Sequence, residues 1–104
     1  MSFIYFLHDR AQQEYETAIK WYLKRSLSAA EGFDDAVDLA LRQACSHPTR
    51  WRNTYKHYYE LGLKKYPYVI IYSIEAEINT IAVWKFYHKK RDPKKKYSGL
   101  RKNI

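Results

Sequence analysis

The stretch INTIAVWKFYHKKRDPKKKY, residues 78–97, decides the fold of this chain. It begins with apolar and β-branched residues, among them Ile78, Thr80 and Val83, which favour a strand inside a sheet. It ends in a cationic run, because residues 85–102 hold nine Lys and Arg against one acid. The remainder holds ten basic and ten acidic side chains, so this run carries the whole net charge of +8. A buried strand therefore leads directly into a segment that attracts polyanions.

Length and composition limit the number of domains and the class of protein. With 104 residues, of which 46% are hydrophobic, the chain can fill one core, so we expect a single domain over residues 1–104 with a basic tail from about residue 88. It has no apolar run of about 18 residues and no basic leader, which favours a cytoplasmic protein without a membrane partner. The four histidines and Cys45 lack the spacing of metal ligands, and no glycine-rich phosphate loop occurs. We therefore expect no cofactor, and Cys45 as a core residue.

The first predicted helix follows a short strand. SFIYFL, residues 2–7, is an apolar run that predicts an interior or near-interior strand. Apolar residues then recur at helical spacing from Ala11 to Tyr22 and predict a helix that ends near Arg25. Asp9 supplies its start signal, with Gln12 three residues later.

A second helix is predicted between Ser28 and Pro48. Ser28 and Glu31 form an S-x-x-E start signal, and small and apolar residues repeat behind them at helical spacing. The helix should end before Pro48, because a residue that precedes proline is pushed out of the α region. Few residues separate the helices, so we expect an antiparallel hairpin.

The residues after Pro48 predict a loop and three strands. Residues 47–56, HPTRWRNTYK, lack a period and are interpreted as a loop, either a nucleic-acid surface or a solvated loop whose Trp51 packs on the core. Three strand patterns follow, joined by short turns: HYYELGLKK, YVIIYSI and the strand from Ile78. They predict an antiparallel meander. The expected fold is α+β with the order β-α-α-β-β-β, a helical hairpin packed on a small, mainly antiparallel four-stranded sheet.

Five local strings in this order and spacing resemble the RelE/ParE superfamily of toxins from bacterial type II toxin–antitoxin modules: HDRAQQEYETAIKWYLKRS, FDDAVDLAL, SHPTRW, KKYPYVIIY and YHKKRDPKKKY. The resemblance covers nearly the whole chain. It implies a cognate antitoxin, encoded by an adjacent gene, that wraps the toxin and neutralises it. It also implies one of two targets: DNA gyrase, as for ParE-like plasmid stabilisation proteins, or the ribosome, where RelE-like members cut mRNA.

The residues that the resemblance assigns to mRNA cleavage are mostly missing. The two lysine positions of the RelE pattern fall at about Glu60 and Gly62, and its arginine falls at about Val69. The remaining catalytic candidates, if the chain is an endonuclease, lie in the terminal region: His88, Lys89, Arg91 and Tyr97. Among them, His88 would act as acid or base and Arg91 would clamp a phosphate. In the alternative, non-catalytic interpretation, His88 is a surface residue and Arg91 forms a local ion pair with Asp92.

We therefore expect a ParE-like toxin that inhibits growth by acting on DNA gyrase. Contacts to the target or to nucleic acid are assigned to basic residues of the loop and the tail: Arg50, Arg52, Lys56, Lys90, Lys94, Lys95 and Lys96. Two alternatives stay open, a RelE-like ribosome-dependent mRNA endonuclease and a non-toxic basic binding module of the same fold. Trp21, Tyr22 and Trp84 are expected in the core, and any exposed one is a candidate anchor for a small, acidic antitoxin.

Overall fold

The computed structural model describes residues 3–90, 96 and 97. Within these residues, two helices and five strands follow in the order β1 (Ile4–Leu7), α1 (Asp9–Leu23), α2 (Leu27–Ser46), β2 (Arg52–Tyr55), β3 (Tyr58–Gly62), β4 (Tyr68–Glu75) and β5 (Thr80–His88). A 3-10 helix, Ala76–Ile78, joins β4 to β5. The strands form one sheet in the order β1-β5-β4-β3-β2, in which β1 is parallel to β5 and the other pairs are antiparallel.

Both helices pack on the same face of the sheet, which confirms the predicted α+β fold. One core cluster joins apolar residues of α1 and α2 to the inner residues of β3, β4 and β5. A second, smaller cluster lies on the opposite face, which we call the open face, and contains Tyr58, Val69, Ile71 and Tyr87. Neither helix described here is long and apolar enough to cross a membrane.

The predicted strand count was wrong by one. The sheet has five strands because β2 lies within the stretch interpreted as a loop. Its hairpin to β3 depends on Asn53, whose amide donates to the carbonyls of Lys56 and Tyr58. Lys56 takes a positive φ of 53° at this turn. Polar residues that pair at a sheet edge need no apolar alternation, so the sequence pattern contains no strand signal here.

The predicted interior position of the first strand was also wrong. β1 lies at the edge of the sheet, and its residues Ile4, Tyr5 and Phe6 are exposed. A short apolar run does not distinguish an edge strand from a central one, because both can be uniformly apolar.

The helix ends differ from their predicted start signals. Ser26 rather than Ser28 caps α2, and its side chain accepts a hydrogen bond from the Ala29 amide. His8 is the N-cap of α1 and makes no side-chain cap, so the Asp9 signal is not used as predicted. The end of α2 at Ser46, before Pro48, agrees with the prediction.

Phe33 lies at the centre of the helix-side core. This side chain of α2 is fully buried, and its ring contacts four tyrosines of α1 and the β3–β4 hairpin, namely Tyr15, Tyr22, Tyr66 and Tyr68. Tyr66 also donates a hydrogen bond to the carbonyl of Ala29. Phe33 therefore links the helical hairpin to the strand hairpin beneath it.

Truncation of this link should destabilise the whole domain. For Phe33→Ala we expect the free energy of unfolding to fall by about 3 to 5 kcal/mol, because the cavity would lie between the four tyrosine rings. Leu39→Ala, on the exposed side of the same helix, is the matched control and should change it by less than about 0.5 kcal/mol. Urea titration followed by tryptophan fluorescence measures both, and equal losses would contradict the assignment.

Candidate functional site

A bulge in β5 determines which side chains reach the open face. The β4–β5 register shifts between Ile71 and Tyr72, so that Tyr72 pairs with Val83 and Ile71 pairs with Lys85. Trp84 is the extra residue. Since side chains alternate along a strand, one extra residue places both Trp84 and Lys85 on the open face.

The bulge buries the ammonium group of Lys85. This side chain is 1% exposed, and its Nζ donates to the carbonyl oxygen of Lys96 at 2.9 Å. Nζ also lies 5.8 Å from the centroid of the Tyr87 ring. A buried cation is stable only with partners of this kind. Lys85 had been counted in the cationic run, but its side chain is part of the interior.

Glu60 of β3 places a carboxylate on the same face of the sheet as this cation. It pairs with Ile71 across the sheet, and Ile71 pairs with Lys85, so Glu60 and Lys85 lie on the same face. Its side chain is 9% exposed, forms an ion pair of 3.2 Å with Lys96 and accepts a hydrogen bond from the hydroxyl of Tyr97. Lys96, expected to bind the target, is therefore engaged inside the protein.

Aromatic rings cross the open face beside these charges. The Tyr97 ring stacks on Tyr55 at 4.4 Å, and Tyr58 lies next to both. Tyr58 also contacts Trp84 edge-on, and the Trp84 indole donates to the Ser73 hydroxyl at 2.8 Å. These stacked rings and the contacts of Glu60 hold residues 96 and 97 against the sheet.

His8 extends the aromatic row to the edge strand. Its ring stacks on Trp84 at 3.7 Å and meets Phe6 edge-on at 4.9 Å. Its Nε2 is buried and has no hydrogen-bond partner among the described residues. Burial lowers the pKa of His8 below its ordinary value, although the nearby carboxylates of Asp9 and Glu75 act in the opposite direction.

The structure does not bring the described catalytic candidates together. His88, at the end of β5, pairs with Tyr68 and contacts its ring at 5.0 Å, on the helix side of the sheet. Its Nδ1 accepts a hydrogen bond from the Lys90 amide. Tyr97 lies on the open face, bound to Glu60. The exposed Lys89 extends beside Gly62.

The basic residues expected to bind the target are divided between two regions. Arg50, Arg52 and Lys56 are exposed at β2 and its flanking turns, where Arg50 and Lys56 lie over the rings of Trp51 and Tyr55. Lys90 is exposed just after β5. The candidates outside the described residues are Arg91, Lys94 and Lys95.

Sequence reasoning missed the roles of Glu60 and Lys85. Glu60 had appeared only as a departure from a family pattern, although its polar character within an alternating strand was a signal for the open face. Of the three aromatics expected in the core, Trp21 is 48% exposed. Cys45 is buried as predicted, and burial raises the pKa of its thiol, which disfavours a nucleophilic thiolate. Residues 3–90, 96 and 97 contain no group of three His, Cys, Asp or Glu able to hold a metal ion.

Comparison with known proteins gives a family and several solved structures, two of which illustrate the similarity. The family model "ParE toxin of type II toxin-antitoxin system, parDE" matches residues 5–93. A chain of the chromosomal ParDE TA system from P. aeruginosa superposes with a TM-score of 0.64 at 12% identity, covering 84% of this chain and 96% of its own. The isolated E. coli RelE toxin superposes with a TM-score of 0.57 at 17% identity, covering 99% of both. At these identities the structures show a shared fold, and no curated protein sequence matches the chain significantly.

A double-mutant cycle tests the ion pair on the open face. Glu60→Gln and Lys96→Met should each destabilise the protein, and their coupling energy should be about 1 to 2 kcal/mol because the pair is largely shielded from water. Chemical denaturation of the two single variants and the double variant measures it. A coupling near zero would show that the carboxylate does not hold residue 96 in solution.

The depressed pKa of His8 predicts a pH-dependent stability. Between the folded and unfolded pKa values the unfolded chain binds more protons, so the contribution of His8 is complete above about pH 6.5 and falls as the pH drops below it. His8→Phe keeps an aromatic ring and should reduce the loss of stability between pH 7 and 5. Leu39→Ala, at an exposed position without a titratable group, should leave the pH profile of the wild type unchanged. Unfolding curves across this pH range provide the comparison.

Proposed function

Because the chain belongs to the ParE toxin family of type II toxin–antitoxin systems, we propose that it inhibits growth in the cytoplasm by binding DNA gyrase. Membership of the family implies an antitoxin partner. The observation that favours gyrase over mRNA cleavage is the position of the catalytic candidates, since His88 faces the helices and Tyr97 is bound to Glu60 on the open face.

Cleavage of RNA requires a set of groups that the described residues of the open face do not offer together in a usable form. The 2′-hydroxyl must lose a proton, the leaving oxygen must gain one, and cations must stabilise the charged phosphorane. The ammonium of Lys85 is buried, and that of Lys96 is paired with Glu60. The carboxylate of Glu60 itself would repel a phosphate that approached these lysines. Inhibition through binding requires none of this chemistry.

The exposed cations fit a partner that carries DNA. Arg50, Arg52 and Lys56 lie together at the β2 edge, while Lys90 begins the segment that contains most of the net charge. This distribution of positive charge raises the rate at which the protein encounters a polyanion, and it orients the polyanion on the protein surface. The proposed gyrase contact therefore lies along the β2 edge and the basic tail.

A supercoiling assay with purified gyrase tests the proposal. The wild-type protein should inhibit supercoiling of relaxed plasmid, and Arg50→Glu combined with Lys56→Glu should raise the inhibitory concentration about tenfold by reversing the charge of the β2 edge. Lys64→Glu combined with Lys65→Glu is the matched control, because it makes the same charge change at the exposed β3–β4 turn. This control should inhibit like the wild type.

Two results would replace the gyrase assignment. Transcripts cut in a codon-dependent manner after induction, with gyrase unaffected at saturating protein, would identify a ribosome-dependent endonuclease. Normal growth on expression without any antitoxin, again with gyrase unaffected, would identify a non-toxic binding module.

A further inference from the structure

The two edges of the sheet differ in how they are protected against pairing with a further strand. At one edge, β2 carries the exposed Arg52, and its register with β3 shifts between Asn53 and Tyr55. At the other edge, β1 has the uncharged sequence IYFL and pairs with β5 in continuous register. Charged side chains and irregular pairing are usual means by which an edge strand avoids another strand. The β1 edge has neither, and no described strand lies beyond it.

The backbone of β1 presents hydrogen-bonding groups at this edge. The amides of Ile4 and His8 donate at 2.9 Å to carbonyls on the β5 side, so the residues with even numbers are bonded within the sheet. Successive residues of a strand direct their N–H and C=O groups to opposite sides. Those of Tyr5 and Leu7 therefore point to the outer edge, where a further strand can pair with them.

The side chains of β1 add an apolar surface that fits a second copy of itself. Ile4 and Phe6 lie on the open face and are 68% and 41% exposed. If two β1 strands pair in antiparallel fashion about a two-fold axis at Tyr5, Ile4 of each copy lies directly opposite Phe6 of the other. Side chains that oppose each other in this way are in contact, so both pairs would lose apolar surface to water.

On the helix side, the charge along the β1 edge changes sign at Tyr5. An acidic cleft of about 290 Å³ includes Asp35, Asp38 and Tyr5 in its wall, whereas a more apolar cleft of about 500 Å³ includes Arg42 and Tyr5. A two-fold axis at Tyr5 brings the Arg42 end of each copy to the Asp38 end of the other. The edge is therefore complementary to itself in charge as well as in shape.

The net charge of +8 is compatible with this pairing. β5 is parallel to β1, so two antiparallel β1 strands direct the carboxyl ends of the two β5 strands in opposite directions. Lys89 follows Ile81, the partner of Tyr5, by eight residues, which is about 26 Å of strand. The Lys89 residues of the two copies would thus be about 50 Å apart, several times the screening length at physiological salt.

We propose that two copies of this chain form a two-fold symmetric dimer through antiparallel pairing of their β1 strands, centred on Tyr5. The dimer joins two five-stranded sheets into one continuous sheet. A strand of four residues with flanking charges forms a small interface, so we expect a dissociation constant on the order of 10 μM. The proposal concerns association of the chain with itself and does not depend on which target it inhibits.

Sedimentation equilibrium of the purified chain tests the proposal. Ile4→Lys places a charge opposite Phe6 of the second copy and should raise the dissociation constant at least about tenfold. Leu27→Lys is the matched control, because Leu27 is 64% exposed and lies at the end of α2 that is remote from β1. It makes the same charge change and should stay within about twofold of the wild type.

A charge swap tests the predicted register. Arg42→Asp and Asp38→Arg should each weaken the dimer about threefold, because each places like charges together across the axis. The variant with both changes should return to the affinity of the wild type, since it restores opposite charges across the axis and keeps the ion pair within α2. Circular dichroism checks that the variants, all at exposed positions, are folded.

Amide hydrogen exchange measured by NMR locates the interface without any substitution. The amides of Tyr5 and Leu7 should exchange about tenfold more slowly in a sample that is about 90% dimer, because exchange then requires dissociation. The Ile4 and Phe6 amides, bonded within the sheet, should keep the same rate at all concentrations.

Three results would overturn the proposal while leaving the gyrase assignment in place. The first is a wild-type chain that stays monomeric up to about 1 mM, a hundred times the expected constant. The second is a dimer that forms with unchanged exchange at Tyr5 and full affinity of Ile4→Lys, since it would use another surface. The third is equal weakening by Ile4→Lys and Leu27→Lys, which would reflect only the added charge.

Discussion

The one-residue bulge opposite Ile71 and Tyr72 is the constraint on which the rest of the sheet depends. Without it, strict alternation from Val83 would direct Lys85 into the helix-side core and Phe86 away from it. With it, Phe86 packs in the main cluster and Lys85 reaches the open face. The same strand thus completes a hydrophobic core on one side and places a cation on the other.

This buried cation explains the arrangement of charges on the open face. A buried ammonium costs several kcal/mol unless it is compensated, and the carbonyl of Lys96 is a direct partner of Lys85. Glu60 lies on the same face of the sheet. Glu60 in turn holds Lys96 and Tyr97. Lys85, Glu60 and Lys96 are therefore engaged in contacts within the protein, whereas exposed cations lie around the open face, among them Arg50 and Lys56 at the β2 edge and Lys90 after β5. The same segment of the chain therefore contains two kinds of cation. Lys85 and Lys96 make contacts within the protein, whereas Lys89 and Lys90 are exposed.

The fold was largely predictable from the sequence, whereas the candidate site was predictable only in part. Both helices follow from apolar spacing and the meander from alternation, since these patterns reflect burial directly. β2 was missed because the polar run around Asn53 forms a strand through pairing rather than burial. Lys85 was counted with the cationic run because a count of charges does not show which face of the sheet a residue occupies. The bulge shifts the strand register by one residue, and nothing in the composition reveals such a shift. Trp21 was expected in the core because helical spacing identifies the apolar face of a helix. The spacing does not show how far the sheet beneath that face extends, and Trp21 is half exposed.

The length of β1 determines what the sheet exposes beside α1. A longer first strand would pair with β5 as far as His88 and would close the groove that Trp21, Tyr68 and His88 line beside α1. Because β1 ends opposite Val83, this groove opens at the point where β5 passes into Lys89 and Lys90. The β2 edge, with Arg50 and Lys56, lies at the other end of the strand order. The fold thus separates its two exposed cationic regions by the width of the sheet, so a single polyanion that contacts both has to span that width.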